Sequence, residues 1–176
     1  MYPDLEKLFS DLSKIIPLRA LGSQLHGDEN SIFQLEKSGE YYFLMPCPFI
    51  ANSGRAAPPL LDGSFMYAIL ASFPQQVMVG PGRTNENYRS VQRVRGHVSI
   101  TLGADALYAG ELVFSDRKLV SWNHVSGHFL PSVEQRHTQL TPNVKRLLPE
   151  HLFVDPIAAM HRRRQQLMQE VMNDEW

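Results

Sequence analysis

The pattern of apolar and polar positions divides the chain into a helix, a run of strands and a second group of helices. In residues 4–16, Leu5, Leu8, Phe9, Leu12, Ile15 and Ile16 share one stripe at helical spacing, and Pro17 ends or kinks the helix they predict. Residues 22–31, with Gly22, Gly27, Asp28, Asn30 and Ser31, read as a loop. The runs Ile32-Phe33-Gln34-Leu35-Glu36 and Tyr41-Tyr42-Phe43-Leu44-Met45 flank Lys37-Ser38-Gly39-Glu40, which is a hairpin signal. Residues 46–63 carry Pro46, Pro48, Gly54, Pro58, Pro59 and Gly63, so a long surface loop of the kind that forms lids or binding edges is expected there.

A second hairpin is expected from residues 65–72 and 76–80 around Phe73-Pro74-Gln75, followed by a polar, turn-rich stretch over 80–90. Three strand-like runs follow at 97–102, 108–114 and 118–123, the last two joined by Ser115-Asp116-Arg117. Past Pro131 the chain turns helical. Ser132-Val133-Glu134-Gln135 has the form of a capping box, and Thr141 before Pro142 and Asp155 before Pro156 mark two further helix starts. The final helix sets Ile157, Met160, Leu167, Met168 and Val171 on one face. Neither an internal repeat nor a linker interrupts this order. It predicts one α+β domain over residues 1–176, with a central, mostly antiparallel sheet flanked by an N-terminal helix and C-terminal helices.

Composition narrows the choice of partners. A chain of 176 residues with 43% hydrophobic and 20% charged residues can bury an ordinary core. A formal net charge of -1 supplies no field toward nucleic acid or acidic lipid, so neither partner is expected. The single cysteine, Cys47, excludes an internal disulfide and, within an apolar run, reads as a small buried hydrophobe in a reducing compartment. The opening Met1-Tyr2-Pro3-Asp4-Leu5-Glu6 lacks the features of a secretory signal, and no apolar run is long enough to span a bilayer. The expected location is cytoplasmic, or another cell reached by a secretion route that needs no signal.

Chemistry concentrates between Gly96 and Pro131. In Tyr108-Ala109-Gly110-Glu111-Leu112-Val113-Phe114, strand alternation puts Glu111 on one side with Ala109 and Val113. A carboxylate there needs a positive or hydrogen-bonding partner unless it faces solvent at a sheet edge, and both readings stand. Gly110 leaves room for a backbone or a ligand to approach. In Ser126-Gly127-His128-Phe129-Leu130-Pro131, Gly127 permits a positive φ that would throw His128 outward as a proton carrier or clamp. The alternative is a histidine that caps carbonyls across its own turn. On a strand over 97–102, His97, Ser99 and Thr101 would form one polar row, either for a ligand or for solvent.

The seven histidines show no zinc spacing and no cysteine pair supports one, so no metal is expected. Neither a glycine-rich phosphate loop nor a nucleophile elbow is present, and Gly80-Pro81-Gly82-Arg83 is too proline-bound for the former. His161-Arg162-Arg163-Arg164 reads as a solvated helix face, while Met160, Leu167 and Met168 can pack in the core or dock a partner, including a second copy of the chain.

The ordered set Gly96-His97-Val98-Ser99, Ala109-Gly110-Glu111-Leu112, Ser126-Gly127-His128-Phe129-Leu130-Pro131 and Asn143-Val144-Lys145-Arg146 resembles a module found in plant IQ-motif calmodulin-binding proteins, in fungal proteins and in bacterial toxin or effector proteins. The resemblance covers residues 65–148. Val98 stands where that module has a serine and Phe129 where it has a tyrosine. No IQ motif is present, so calmodulin binding is not implied. Some bacterial proteins with this module are similar to atypical ADP-ribosyltransferases delivered into host cells. That resemblance implies an effector- or toxin-like domain that uses NAD to modify a protein, with Glu111 and His128 catalytic. His97, Ser99, Thr101, Ser126 and Gly127 would hold NAD, and Tyr67 or Tyr108 would stack on nicotinamide. Ala109 stands where such enzymes often carry a further Gln or Glu. The rival expectations are a non-catalytic protein- or ligand-binding module using the His97, Glu111 and His128 face, and a partner protein that forms a homodimer through its last helix.

Overall fold

Three antiparallel hairpins build the sheet. The computed structural model describes residue 7 and residues 15–21, 31–48 and 60–174. β1 (Phe33–Ser38) pairs with β2 (Tyr41–Pro46), from Phe33 opposite Pro46 to Ser38 opposite Tyr41. Gly39 takes a φ of 61° in the turn between them, where a side chain would be strained. β3 (Gly63–Leu70) pairs with β4 (Val77–Pro81), and β5 (Ala106–Ser115) with β6 (Lys118–Trp122). The β5–β6 turn is the pair Asp116-Arg117, both left-handed at φ 46° and 62°, the twist a two-residue hairpin turn demands. The strand order is β2-β1-β4-β3-β5-β6, with every neighbouring pair antiparallel.

The helices are α1 (His97–Thr101), α2 (Gln135–Thr138), α3 (Pro142–Leu147) and α4 (Pro156–Asp174). The architecture is therefore α+β, as the order of elements predicts. Ser132 and Gln135 exchange the two hydrogen bonds of a capping box, at 2.8 and 3.2 Å. Asp155 Oδ1 accepts the backbone N–H groups of Ile157 and Ala158 at the start of α4. Of the expected helix over 4–16, only residue 7, which is helical, and residues 15 and 16, which are not, are described; the rest of it and the greater part of the expected loops over 22–31 and 46–63 lie outside the described residues. None of the described helices is long and apolar enough to cross a membrane.

Side-chain alternation gives the sheet two apolar faces. The inner face carries Leu35, Phe65, Tyr67, Leu112, Phe114 and Trp122, with Val144 and Leu147 of α3 packed on it. The outer face carries Ala68, Leu70, Met78 and Ala109 beneath Val94, Ile100 of α1 and Phe129. The sheet curls until its edge strands meet: Tyr42 N–H donates to the Arg117 carbonyl at 2.8 Å, and Lys118 lies 3.2 Å from Glu40. Phe114 spans the inside of the curl, edge-on to Tyr42 at 5.5 Å and to Phe65 at 5.6 Å.

One strand expectation is overturned. Residues 97–101 form the short helix α1, with all five side chains buried. The apolar–polar alternation of His97-Val98-Ser99-Ile100-Thr101 imitates a half-exposed strand, but none of these residues meets solvent. The helix ends at Leu102 and Gly103, both left-handed at φ 52° and 82°.

Candidate functional site

Glu111 sits in the middle of β5 on the outer face, directly opposite Met66 of β3, which itself is opposite Gly80 of β4. Three strands thus bring Glu111 beside the Gly80-Pro81-Gly82-Arg83 segment. A cleft of about 550 Å³ opens there, lined by Ser64, Met66, Gly82, Arg83, Thr84 and Glu111 together with Phe65. That is the size of a small-molecule site. Among the described lining residues Glu111 is the one acidic side chain and Arg83 the one basic side chain. Ser64 and Thr84 join through their hydroxyls at 3.2 Å. Gly82 N–H donates to the Ser64 carbonyl at 2.9 Å, and a Cβ on Gly82 would come within 2.9 Å of Ser64 Oγ. The close approach of these two segments places Arg83, an exposed residue, in the cleft wall.

Asn123 positions the carboxylate. Its Oδ1 accepts the backbone N–H of Glu111 and of Val125, each at 2.9 Å, and its Nδ2–H donates to Glu111 Oε2 at 3.2 Å. The bend at Asn123 crosses Gly110 so closely that a Cβ there would lie 2.0 Å from the Asn123 carbonyl oxygen. The space left by Gly110 is filled by backbone, one of the two uses open to it. The same carbonyl accepts the Tyr67 hydroxyl at 2.8 Å.

His97 is buried behind this strand. Its Nε2–H donates to the Gly110 carbonyl at 2.8 Å. Burial pulls its pKa down from 6.5 to about 4; the bond to Gly110 opposes the shift, and the nearby His128 adds to it. His97 is therefore a neutral donor at pH 7 that fixes the residue before Glu111. His128 is half-buried, and its carbonyl accepts the Leu21 N–H at 2.7 Å. The structure brings Glu111 and His97 to one side of the sheet as neighbours along β5, but the cleft walls contain Glu111 and neither histidine.

Several assigned positions lie elsewhere. Ser99 and Thr101 are buried in α1 with no hydrogen-bond partner for their hydroxyls among the described residues, so they form no row with His97. Tyr67 and Tyr108 are fully buried on the inner face, opposite the cleft, where their hydroxyls donate to the Asn123 and Ser132 carbonyls. Neither ring is available to stack on a ligand in the cleft. Burial raises both phenol pKa values, for Tyr67 with Tyr108 adding to the effect. Ser126 is buried and its Oγ accepts the Phe129 N–H at 3.3 Å. The positive φ expected at Gly127 falls instead on Leu130, at 46°; Gly127 is exposed.

Sequence reasoning missed Arg83, Ser64, Thr84 and Asn123. A Gly-Arg pair placed just after a predicted strand was a signal for Arg83. Nothing local marks Asn123, whose role depends on the β5–β6 register. Comparison with known protein families, with curated proteins and with solved structures finds no match to this chain.

Proposed function

We propose that the cleft binds a phosphate-bearing nucleotide, NAD in the first instance, and that the chain is an effector- or toxin-like domain that transfers ADP-ribose to a protein. The observation that carries this reading is the presence of a carboxylate, Glu111, and a guanidinium, Arg83, among the residues that line one cleft of nucleotide-accommodating size. Arg83 matches the pyrophosphate by charge and geometry. Glu111 matches ribose hydroxyls and the positive charge that develops at C1′ as the bond to nicotinamide breaks. Nicotinamide leaves with the bonding pair, and the acceptor nucleophile takes its place on C1′ as its proton passes to the Glu111 carboxylate. Asn123 and the His97–Gly110 bond would hold the carboxylate against rotation during that step. The resemblance to the module of toxin and effector proteins supports the same reading.

Calorimetric titration with NAD tests it. Saturable binding that weakens in Arg83→Ala is expected, together with turnover that Glu111→Gln abolishes while binding persists. No heat at millimolar NAD would overturn the proposal. A second reading, binding without turnover, is favoured by the burial of His97, whose lowered pKa makes it a weak base and which does not line the cleft. It predicts NAD or another nucleotide bound equally by the parent protein and Glu111→Gln, with no product formed.

A further inference from the structure

α4 stands apart from the body of the domain. From Met160 through Asn173 every side chain is exposed, and no hydrogen bond ties this stretch to another element among the described residues. Ile157, Met160, Leu167, Met168, Val171 and Met172 all expose more than half of their surface. At helical spacing they form one stripe, which holds a shallow apolar groove around Leu167, Met168, Val171 and Met172. An amphipathic helix of this length gains most of its stability by burying such a stripe against a partner.

The charges along α4 choose the partner. Arg162, Arg163 and Arg164 occupy its first half, and Glu170 and Asp174 its last turns. We infer that α4 pairs with α4 of a second copy, antiparallel, so that each basic half lies along an acidic half. Arg163 and Glu170 are one heptad apart and so flank the stripe on the same side. In an antiparallel pair like flanks meet, so Arg163 of each copy faces Glu170 of the other. The same register lays Met160 against Val171 and Arg164 against Leu167 of the second copy. Arg164 borders the apolar groove, where its aliphatic stem packs while its guanidinium reaches water. A parallel pair would set arginine beside arginine.

Sedimentation equilibrium of the full chain, over a range of concentrations, tests this pairing. A monomer–dimer equilibrium is expected, and the double variant Leu167→Glu, Val171→Glu is expected to be monomeric with an unchanged thermal melt at a concentration where the parent is monomeric, since residues 160–173 are exposed. Arg163→Glu alone and Glu170→Arg alone should each weaken self-association by about tenfold, as attractive pairs become repulsive. R163E and E170R combined should restore it, and a mixture of the two single variants should form the heterodimer. A chain that stays monomeric at millimolar concentration overturns the inference. So does a dimer indifferent to the stripe variant, or one that the combined reversal fails to restore.

Discussion

The two faces of the sheet are closed by different means. The inner face is sealed by the later part of the chain, and its large aromatic side chains carry the seal. Tyr42, Tyr67, Tyr108 and Trp122 each bury the ring and donate the polar tip to a backbone carbonyl, at Leu147, Asn123, Ser132 and Pro149 respectively. Among the described residues the outer face is covered in part, by α1, Val94 and Phe129, and the cleft at Glu111 opens beside that cover. Adjacent positions on β5 show the contrast. Gly110 turns inward and meets backbone; Glu111 turns outward and meets open space bounded by Arg83. Stability belongs to the first kind of surface, and the proposed ligand site lies on the second.

Substitutions should separate the two. Gly110→Ala drives a methyl into the Asn123 carbonyl, where the nearest atoms are all backbone of Asn123 and His124 and no side chain can yield, and should cost about 3 kcal/mol or more. Denaturant unfolding would register this as a protein barely folded; near-wild-type stability would mean that the crossing at Asn123 is loose. His97 should give an effect of similar size, but one that appears only in acid. Its folded pKa of about 4 lies below the ordinary 6.5, so the unfolded chain takes up the proton first. The stability is fully present above pH 6.5 and about 3 kcal/mol is lost as pH falls toward 4. Thermal melts across that window should show the loss in the parent protein and a flatter profile in His97→Asn.

A smaller effect is expected inside the seal. Tyr67→Phe keeps the ring but strands the Asn123 carbonyl, at a cost of about 2 kcal/mol in an unfolding titration. The smallest should come from the cleft, where Glu111→Gln and Arg83→Ala should each move stability by no more than about 0.5 kcal/mol while changing NAD turnover and NAD binding. A cleft substitution as damaging to the fold as Tyr67→Phe would erase the distinction between the faces.

The three hairpins were legible because each announces itself locally. Gly39 and the Asp116-Arg117 pair sit between runs of period two, where a tight turn must go. α1 was not legible, because a helix buried all round has no polar side and its alternation says nothing about solvent. Glu111 could be singled out as a carboxylate in an apolar strand. Its company could not: Arg83 reaches the cleft only because Met66 has Gly80 on one side and Glu111 on the other, and the second of these pairings joins strands far apart in sequence. The roles expected of Tyr67 and Tyr108 failed for the same reason, since one step of strand parity separates them from Glu111.

The meeting of β2 with the β5–β6 turn bears on the order of events as the chain folds. The Tyr42–Arg117 hydrogen bond requires every ladder between the two edges to be in place, so it belongs among the last contacts to form. Until then both rims of the sheet are open templates on which another chain could add a strand. Lys118 and Glu40 form an exposed ion pair that contributes little to the finished fold. In a chain whose curl has not closed, the same two residues would leave a charge on each rim, which disfavours intermolecular strand addition.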